Sequence, residues 1–182
     1  EIMMEVLDDF LDKRFSDELY FDLLNGPWYA SNIANRYTYP YGEKGSHLLL
    51  GNIIWNPLNE YFSDTNLELD ISFKFINTFN RLCSKLNKKL ILKSIRGNLQ
   101  FYGQDGTFHV DGGDDYEVFI LLLHNGILDN DIGGEFINQT IDQTVKFRHG
   151  RIINFKATDT HRALSFNKPY IPRISVQFLG QK

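Results

Sequence analysis

This sequence predicts a mainly β chain, α+β in class, built as a double-sheet jelly roll or a sandwich with helices ahead of it. Three observations carry that prediction. The hydrophobic periodicity changes along the chain: up to about Leu86 it is mixed and partly helical, and beyond Lys89 it becomes a succession of short apolar runs. Turn signals separate those runs, at Gly103-Gln104-Asp105-Gly106, Asp111-Gly112-Gly113, Asn125-Gly126, His149-Gly150 and Asn167-Lys168-Pro169. Aromatic residues, mostly fifteen Phe and nine Tyr, make up 14% of the chain, and flat side chains suit packing across facing strands.

Taken in order, the elements begin with a short amphipathic helix. Ser16 is suited to cap it, Phe15 to staple onto Tyr20, and Asn25-Gly26-Pro27 to stop it after Leu23 and Leu24. Residues 30–62 are rich in Asn, Tyr, Gly and Pro, carry His47 and Trp55, and read as loop with short strand pieces able to fold over a site. A longer helix is predicted over 66–86, because Ile71, Phe75, Phe79, Leu82, Cys83 and Leu86 recur at helical spacing and form one apolar stripe. Candidate strands follow at 90–95, 98–102, 107–110, 117–123, 134–137, 144–147, 151–155, 161–164 and 173–178. Residues 1–182 therefore read as a single domain, with 1–88 a helical and loop support region and 89–182 the jelly-roll core.

Composition sets limits. A chain of 182 residues and 21.2 kDa, 42% hydrophobic, can bury one sizeable core but is short for two. A net charge of −4 gives no electrostatic footprint for a tight nucleic-acid binder. No apolar run approaches the roughly 20 residues of a membrane span. The opening Glu1-Ile2-Met3-Met4-Glu5 lacks the pattern of a signal peptide. Cys83 is the one cysteine, which excludes an internal disulfide and a cysteine-built zinc site and favours a reducing, intracellular and cytoplasmic setting.

The chemistry concentrates on His109 and Asp111, within Phe108-His109-Val110-Asp111-Gly112-Gly113 at the end of a candidate strand. Residues two apart in a strand point the same way, so imidazole and carboxylate can converge on one ion. A surface turn is the alternative for the tripeptide alone. His161 lies about fifty residues further on and supplies a third ligand type, and Arg173 follows it. Two His and one carboxylate leave three positions open on an octahedron, which suits Fe(II) with a chelating co-substrate and O2; zinc, cobalt or nickel can take the same ligands.

His-x-Asp, then about fifty residues, then His, then Arg173-Ile174-Ser175 resembles the 2-oxoglutarate/Fe(II)-dependent dioxygenase superfamily, and within it the prolyl 4-hydroxylase-like branch. Tyr102 before the His-x-Asp turn, Gly133-Gly134-Glu135-Phe136 midway and Gly150 before the distal His match that branch, as does the opening Val6-Leu7-Asp8-Asp9-Phe10-Leu11. Two features depart from it: Leu123-His124-Asn125 stands where many members have Tyr-Leu-Asn, and Arg173 where collagen-type enzymes have Lys. The resemblance implies a double-stranded β-helix with its catalytic metal on His109, Asp111 and His161. It implies 2-oxoglutarate gripped through its distal carboxylate by Arg173, with hydroxyl donors from Ser175 and Tyr102. It further implies O2 as oxidant, ascorbate as an accompanying reductant, succinate and CO2 as products, and a peptide or protein substrate hydroxylated on a side chain, proline first.

Other polar residues are assigned to the surface or to hydrogen bonding. These are His47, His124 and His149, the turn residues Asp114 and Asp115, and Glu135 and Arg162, for which a contact with substrate is the alternative. Lys85, Lys88, Lys89, Lys93 and Arg96 read as a solvated basic face. Two further functions stay open on the sequence: a nucleic-acid demethylase of the same superfamily, which the acidic composition disfavours, and a non-catalytic metal-binding jelly-roll protein.

Overall fold

Asp12, one turn ahead of Ser16, caps the first helix, α1 (Lys13–Leu24), in the computed structural model, which describes residues 4–32, 49–57, 63–65, 67–124 and 131–182. Its carboxylate accepts from the Phe15 backbone N–H at 2.8 Å. An anion at this end also meets the positive pole of the helix, which a hydroxyl does not. Ser16, expected as the cap, is buried one turn inside and donates to the Asp12 carbonyl at 3.1 Å. Asn25 ends the helix as predicted. The second helix, α2 (Leu69–Lys85), buries Phe75, Phe79, Leu82 and Cys83 of the predicted stripe. Lys74 on α2 clasps Glu18 and Asp22 on α1.

The eleven described strands are β1 (Glu5–Leu7), β2 (Tyr29–Asn32), β3 (Leu49–Pro57), β4 (Ser63–Asp64), β5 (Ile91–Gln100), β6 (Tyr116–Leu123), β7 (Phe136–Asn138), β8 (Gln143–Val145), β9 (Ile152–Lys156), β10 (His161–Ala163) and β11 (Arg173–Gln181). A large antiparallel sheet runs β1-β9-β6-β11-β5-β3-β2, with β4 beside β3, and a small one runs β10-β7-β8. The jelly-roll class expected from the sequence is the fold observed.

Several elements differ from the sequence reading. The 90–95 and 98–102 segments are one continuous strand, β5, and Gly97 does not break it. A Cβ at Gly97 would come within 3.1 Å of the Trp28 ring, so glycine serves close packing here rather than a turn. Within the stretch read as loop, β3 is a nine-residue strand whose pattern is obscured by Gly51-Asn52; the Asn52 amide donates to the Pro27 carbonyl at 2.7 Å. Residues 107–110 form no strand but an extended arm joined to the small sheet through one bridge, His109 to His161. His47, the Asn125-Gly126 turn and most of 30–62 lie outside the described residues.

Both faces of the large sheet are covered, which is why β6 is an unbroken apolar run from Val118 to Leu123. Its outer face packs on α1 and α2: Leu19, Leu23, Phe75, Phe79 and Leu82 meet Phe119, Leu121, Ile174, Val176 and Phe178. Its inner face meets the small sheet through Val118, Ile120, Leu122, Phe136, Val145 and Phe155. Alternation along β11 sends Ile174, Val176 and Phe178 to the helices and Arg173, Ser175, Gln177 and Leu179 into a cavity between the sheets. That alternation positions the site.

Candidate metal centre

The His109 arm is fastened to the start of β10 by two backbone bonds, His109 N–H to the His161 carbonyl at 3.0 Å and His161 N–H to the His109 carbonyl at 2.9 Å. Asp111 and Gly112 donate to the Ala157 carbonyl at 2.9 and 3.2 Å, fixing the turn that follows. Three side chains converge as a result. The ligand atoms of His109, Asp111 and His161 all lie within 4.8 Å of one another. His109 Nε2 is 3.6 Å from Asp111 Oδ1, and His161 Nε2 is 3.2 Å from Asp111 Oδ2.

Each imidazole is held in one orientation. His109 Nδ1 donates to the Thr107 carbonyl at 2.7 Å and His161 Nδ1 to the Asp159 carbonyl at 2.8 Å. A carbonyl only accepts, so Nδ1 carries the proton and the Nε2 lone pair is presented inward, the tautomer that metal ligation requires. Phe136 stacks on the His161 ring at 5.3 Å and Phe155 meets it edge-on at 4.6 Å. Asp111 Oδ2 is buried without an aligned hydrogen bond despite its closeness to His161. Two inward lone pairs and an unsatisfied carboxylate oxygen make a donor set that a divalent transition-metal ion fits.

The charges respond to this crowding. Burial, and then the neighbouring His161, hold the His109 pKa below the usual imidazole value. Burial would push the Asp111 carboxyl up, but contacts with His161, His109 and Gln177 outweigh it and leave the pKa lowered. Burial would likewise lower His161, yet the Asp111 carboxylate and the Asp159 carbonyl raise it on balance. A raised pKa means that the proton persists on His161 to higher pH, where it competes with a metal for Nε2. Affinity for Ni(II) or Co(II) is therefore expected to climb with pH until His161 has lost that proton, by at most about tenfold per unit, with proton release on binding. Titration calorimetry in buffers of different ionisation enthalpy measures both, and a pH-independent affinity without proton release would contradict this account.

The same cavity, about 360 Å³, is lined at its other end by Arg173. Its guanidinium is fully buried; Nε donates to the Gly134 carbonyl at 3.0 Å and Nη1 to Gln100 Oε1 at 3.1 Å. Nη2 has no partner. Burial brings the Arg173 pKa down to about 10, with the Glu135 charge acting in the opposite sense, so the group stays cationic at neutral pH. Gln100 is itself oriented, since its amide nitrogen donates to the Gln104 and Ala163 carbonyls at 2.9 and 3.2 Å. Gly134, at φ +79°, brings its carbonyl to Arg173 in a conformation where a Cβ would lie 2.6 Å from the Phe166 ring.

Among the residues singled out from the sequence, His109, Asp111, His161, Arg173 and Ser175 line this one cavity and Tyr102 does not. β5 ends at Gln100, and a turn closed by Gln104, whose side chain accepts from the Phe101 N–H at 2.8 Å, carries Tyr102 outward. Tyr102 is 59% exposed and borders a separate groove with Asp105 and Glu135. Gln100 contacts the guanidinium instead. Gln177 shares the face of Arg173 and Ser175 by strand parity alone; Asn98 and Arg96, the latter read from the sequence as part of a solvated basic face, come to the cavity through the β5–β11 register. His124 lies outside the lining, packed near Tyr20 and Phe166, and its backbone N–H donates to His149 Nδ1 at 3.0 Å. His149 turns Nε2 toward Asp17 at 3.0 Å. Arg162 lies over the Phe108 ring, Lys182 binds the carbonyls of Asp114 and Asp115, and Lys88 pairs with Glu117.

No protein-family model and no curated protein matches the chain. Solved structures do match it. An oxidoreductase of the 2OG-Fe(II) oxygenase family from Burkholderia pseudomallei aligns with 98% of this chain and 84% of its own, at 14% identity and a TM-score of 0.69. A Pseudomonas putida prolyl-4-hydroxylase aligns over 98% and 92%, at 14% identity and a TM-score of 0.67. A prolyl hydroxylase from Trichoplax adhaerens, in complex with a peptide fragment of the hypoxia inducible factor oxygen degradation domain, aligns over 98% and 83%, at 16% identity and a TM-score of 0.66. The fold of this chain is the one these oxygenases share.

Proposed function

We propose that this chain is an Fe(II)- and 2-oxoglutarate-dependent dioxygenase that hydroxylates a side chain of a peptide or protein, proline first, and releases succinate and CO2. One observation carries the reading: a single cavity presents a His-Asp-His donor set at one end and a fully buried guanidinium with an unpartnered Nη2 at the other. An uncompensated buried charge costs about 3–5 kcal/mol, and an anionic ligand relieves that cost. A metal that was only structural would leave Arg173 without a reason.

His109, Asp111 and His161 would hold the metal; Arg173 would grip the distal carboxylate of 2-oxoglutarate, with the Ser175 hydroxyl beside it. When bound, iron and 2-oxoglutarate would activate O2, one atom of which passes to the substrate and the other to succinate. The chain itself contributes orientation and dryness. The Thr107 and Asp159 carbonyls set both imidazoles, and Gln100 and the Gly134 carbonyl aim the guanidinium. Ile120, Phe136 and Leu179 form apolar wall that keeps water from competing. The peptide held by the Trichoplax relative supports a peptide for this chain as well.

With Fe(II), ascorbate and 2-oxoglutarate, the protein is expected to release succinate slowly alone and faster with its substrate. Mass spectrometry of proline-containing peptides and methylated oligonucleotides after incubation identifies the class. A peptide gaining one oxygen atom supports the proposal; loss of a methyl group from an oligonucleotide replaces it with the demethylase reading, and absence of succinate overturns both.

A further inference from the structure

Directly across from Gln177 of β11, the sheet register places Arg96 of β5. The two share a face with Arg173, Ser175, Asn98 and Gln100, because strand residues two apart point the same way, and all six line the cavity. Arg96 is exposed where Arg173 is fully buried. Gln177 lines the cavity together with His109, Asp111 and His161. Arg96, one strand over, therefore stands beside the metal end.

Distance separates the tasks of the two cations. From Arg173 to Gln177 is four residues along β11, about 13 Å at roughly 3.3 Å per residue. The five-carbon chain of 2-oxoglutarate spans about 5 Å between its carboxyl carbons, from four C–C bonds of about 1.5 Å. The backbone positions of the two cations are thus more than one co-substrate length apart, Arg173 at the buried end of the cavity and Arg96 at an exposed one. The cavity-lining residues next to Arg96 along β5 and across on β11, Ser94, Asn98, Gln177 and Leu179, are uncharged. Among the described residues its guanidinium forms no ion pair. In a protein of net charge −4 the long-range field does not draw in an acid, so recognition of one has to be local.

We propose that Arg96 is a specificity-determining residue: it binds a carboxylate on an acidic residue of the peptide substrate, next to the side chain that is hydroxylated. This assignment rests on the oxygenase reading above and adds the substrate's charge to it. The guanidinium offers a planar fork of donors, which favours a carboxylate over a neutral amide of the same shape.

A peptide library tests it, with a central proline, flanks of Glu, Gln, Lys or Ala, and C-termini either free or amidated. The library is incubated with the protein, Fe(II), ascorbate and 2-oxoglutarate, and products are read by mass spectrometry. The wild type is expected to oxidise Glu peptides roughly three- to tenfold faster than their Gln counterparts. Arg96→Gln should erase that ratio, and Arg96→Glu should shift the preference toward Lys, a gain that a misfolded variant cannot produce. The assignment is overturned by equal ratios in wild type and Arg96→Gln, by a preference that follows only the free C-terminus, or by no oxidised peptide at all. Succinate release by the wild type without peptide, measured in parallel, shows whether the oxygenase reading falls with it.

Discussion

Replacing His161 with Ala is expected to abolish 2-oxoglutarate turnover and to weaken metal binding by roughly a hundredfold or more, since removal of a mere supporting contact to a ligand already costs about 10- to 100-fold. The reasoning is geometric. His161 is 4% exposed, wedged between Phe136 and Phe155, with one ring nitrogen committed to a backbone carbonyl and the other aimed at Asp111. No other imidazole among the described residues can slide into that place: His124 and His149 sit at the far end of β6 and bond to each other. His149→Ala is the control. It removes a half-buried imidazole bonded to α1 and should keep its metal. Equilibrium dialysis with Ni(II), alongside a succinate assay, reads both variants; a His161→Ala protein that still binds metal tightly and turns over would remove the metal centre from the site assigned here.

The second large effect concerns Arg173. Arg173→Met is expected to raise the KM for 2-oxoglutarate by roughly 30- to 5,000-fold, the equivalent of about 2–5 kcal/mol for deleting one partner of a buried, hydrogen-bonded charge pair. Stability should move in a different way. Without co-substrate the guanidinium is a desolvated cation with an idle Nη2, and apolar side chains of similar volume often replace buried ions without loss. The melting temperature of the variant without 2-oxoglutarate should therefore stay near that of the wild type, while the rise that 2-oxoglutarate gives the wild type disappears. If instead the variant melts far lower and binds 2-oxoglutarate unchanged, Arg173 is a structural residue.

Much of the site can be read from the sequence because its chemistry obeys strand parity. His109 and Asp111 are two apart, as are Arg173, Ser175 and Gln177, and parity alone puts each set on one side. What parity cannot give is the neighbour on the next strand. Gln100 is an ordinary polar residue until the register sets it opposite Arg173, and Arg96 reads as one of several surface cations until the register sets it opposite Gln177. Tyr102 fails for another reason: its direction depends on where β5 stops, which a side-chain bond from Gln104 decides.

The fold divides in the same way. β6 is legible because two covered faces demand an apolar run, and β11 because Ile174, Val176 and Phe178 alternate with polar residues. β3 is hidden by Gly51-Asn52, two turn formers that tertiary packing overrides. At α1, Asp12 and Ser16 are both capping types; Asp12 takes the cap and accepts from the Phe15 N–H, while Ser16 is buried one turn inside.

The single bridge between the His109 arm and β10 has a further consequence. Residues 101–115 belong to neither sheet apart from that bridge, and a chain with one cysteine has no internal disulfide to staple them. An ion shared by Asp111 and His161 would close a loop of about fifty residues, a cross-link that in a disulfide is worth roughly 4 kcal/mol of lost freedom in the unfolded chain. Loss of that ion would then shorten the time the protein survives proteases as well as end its turnover.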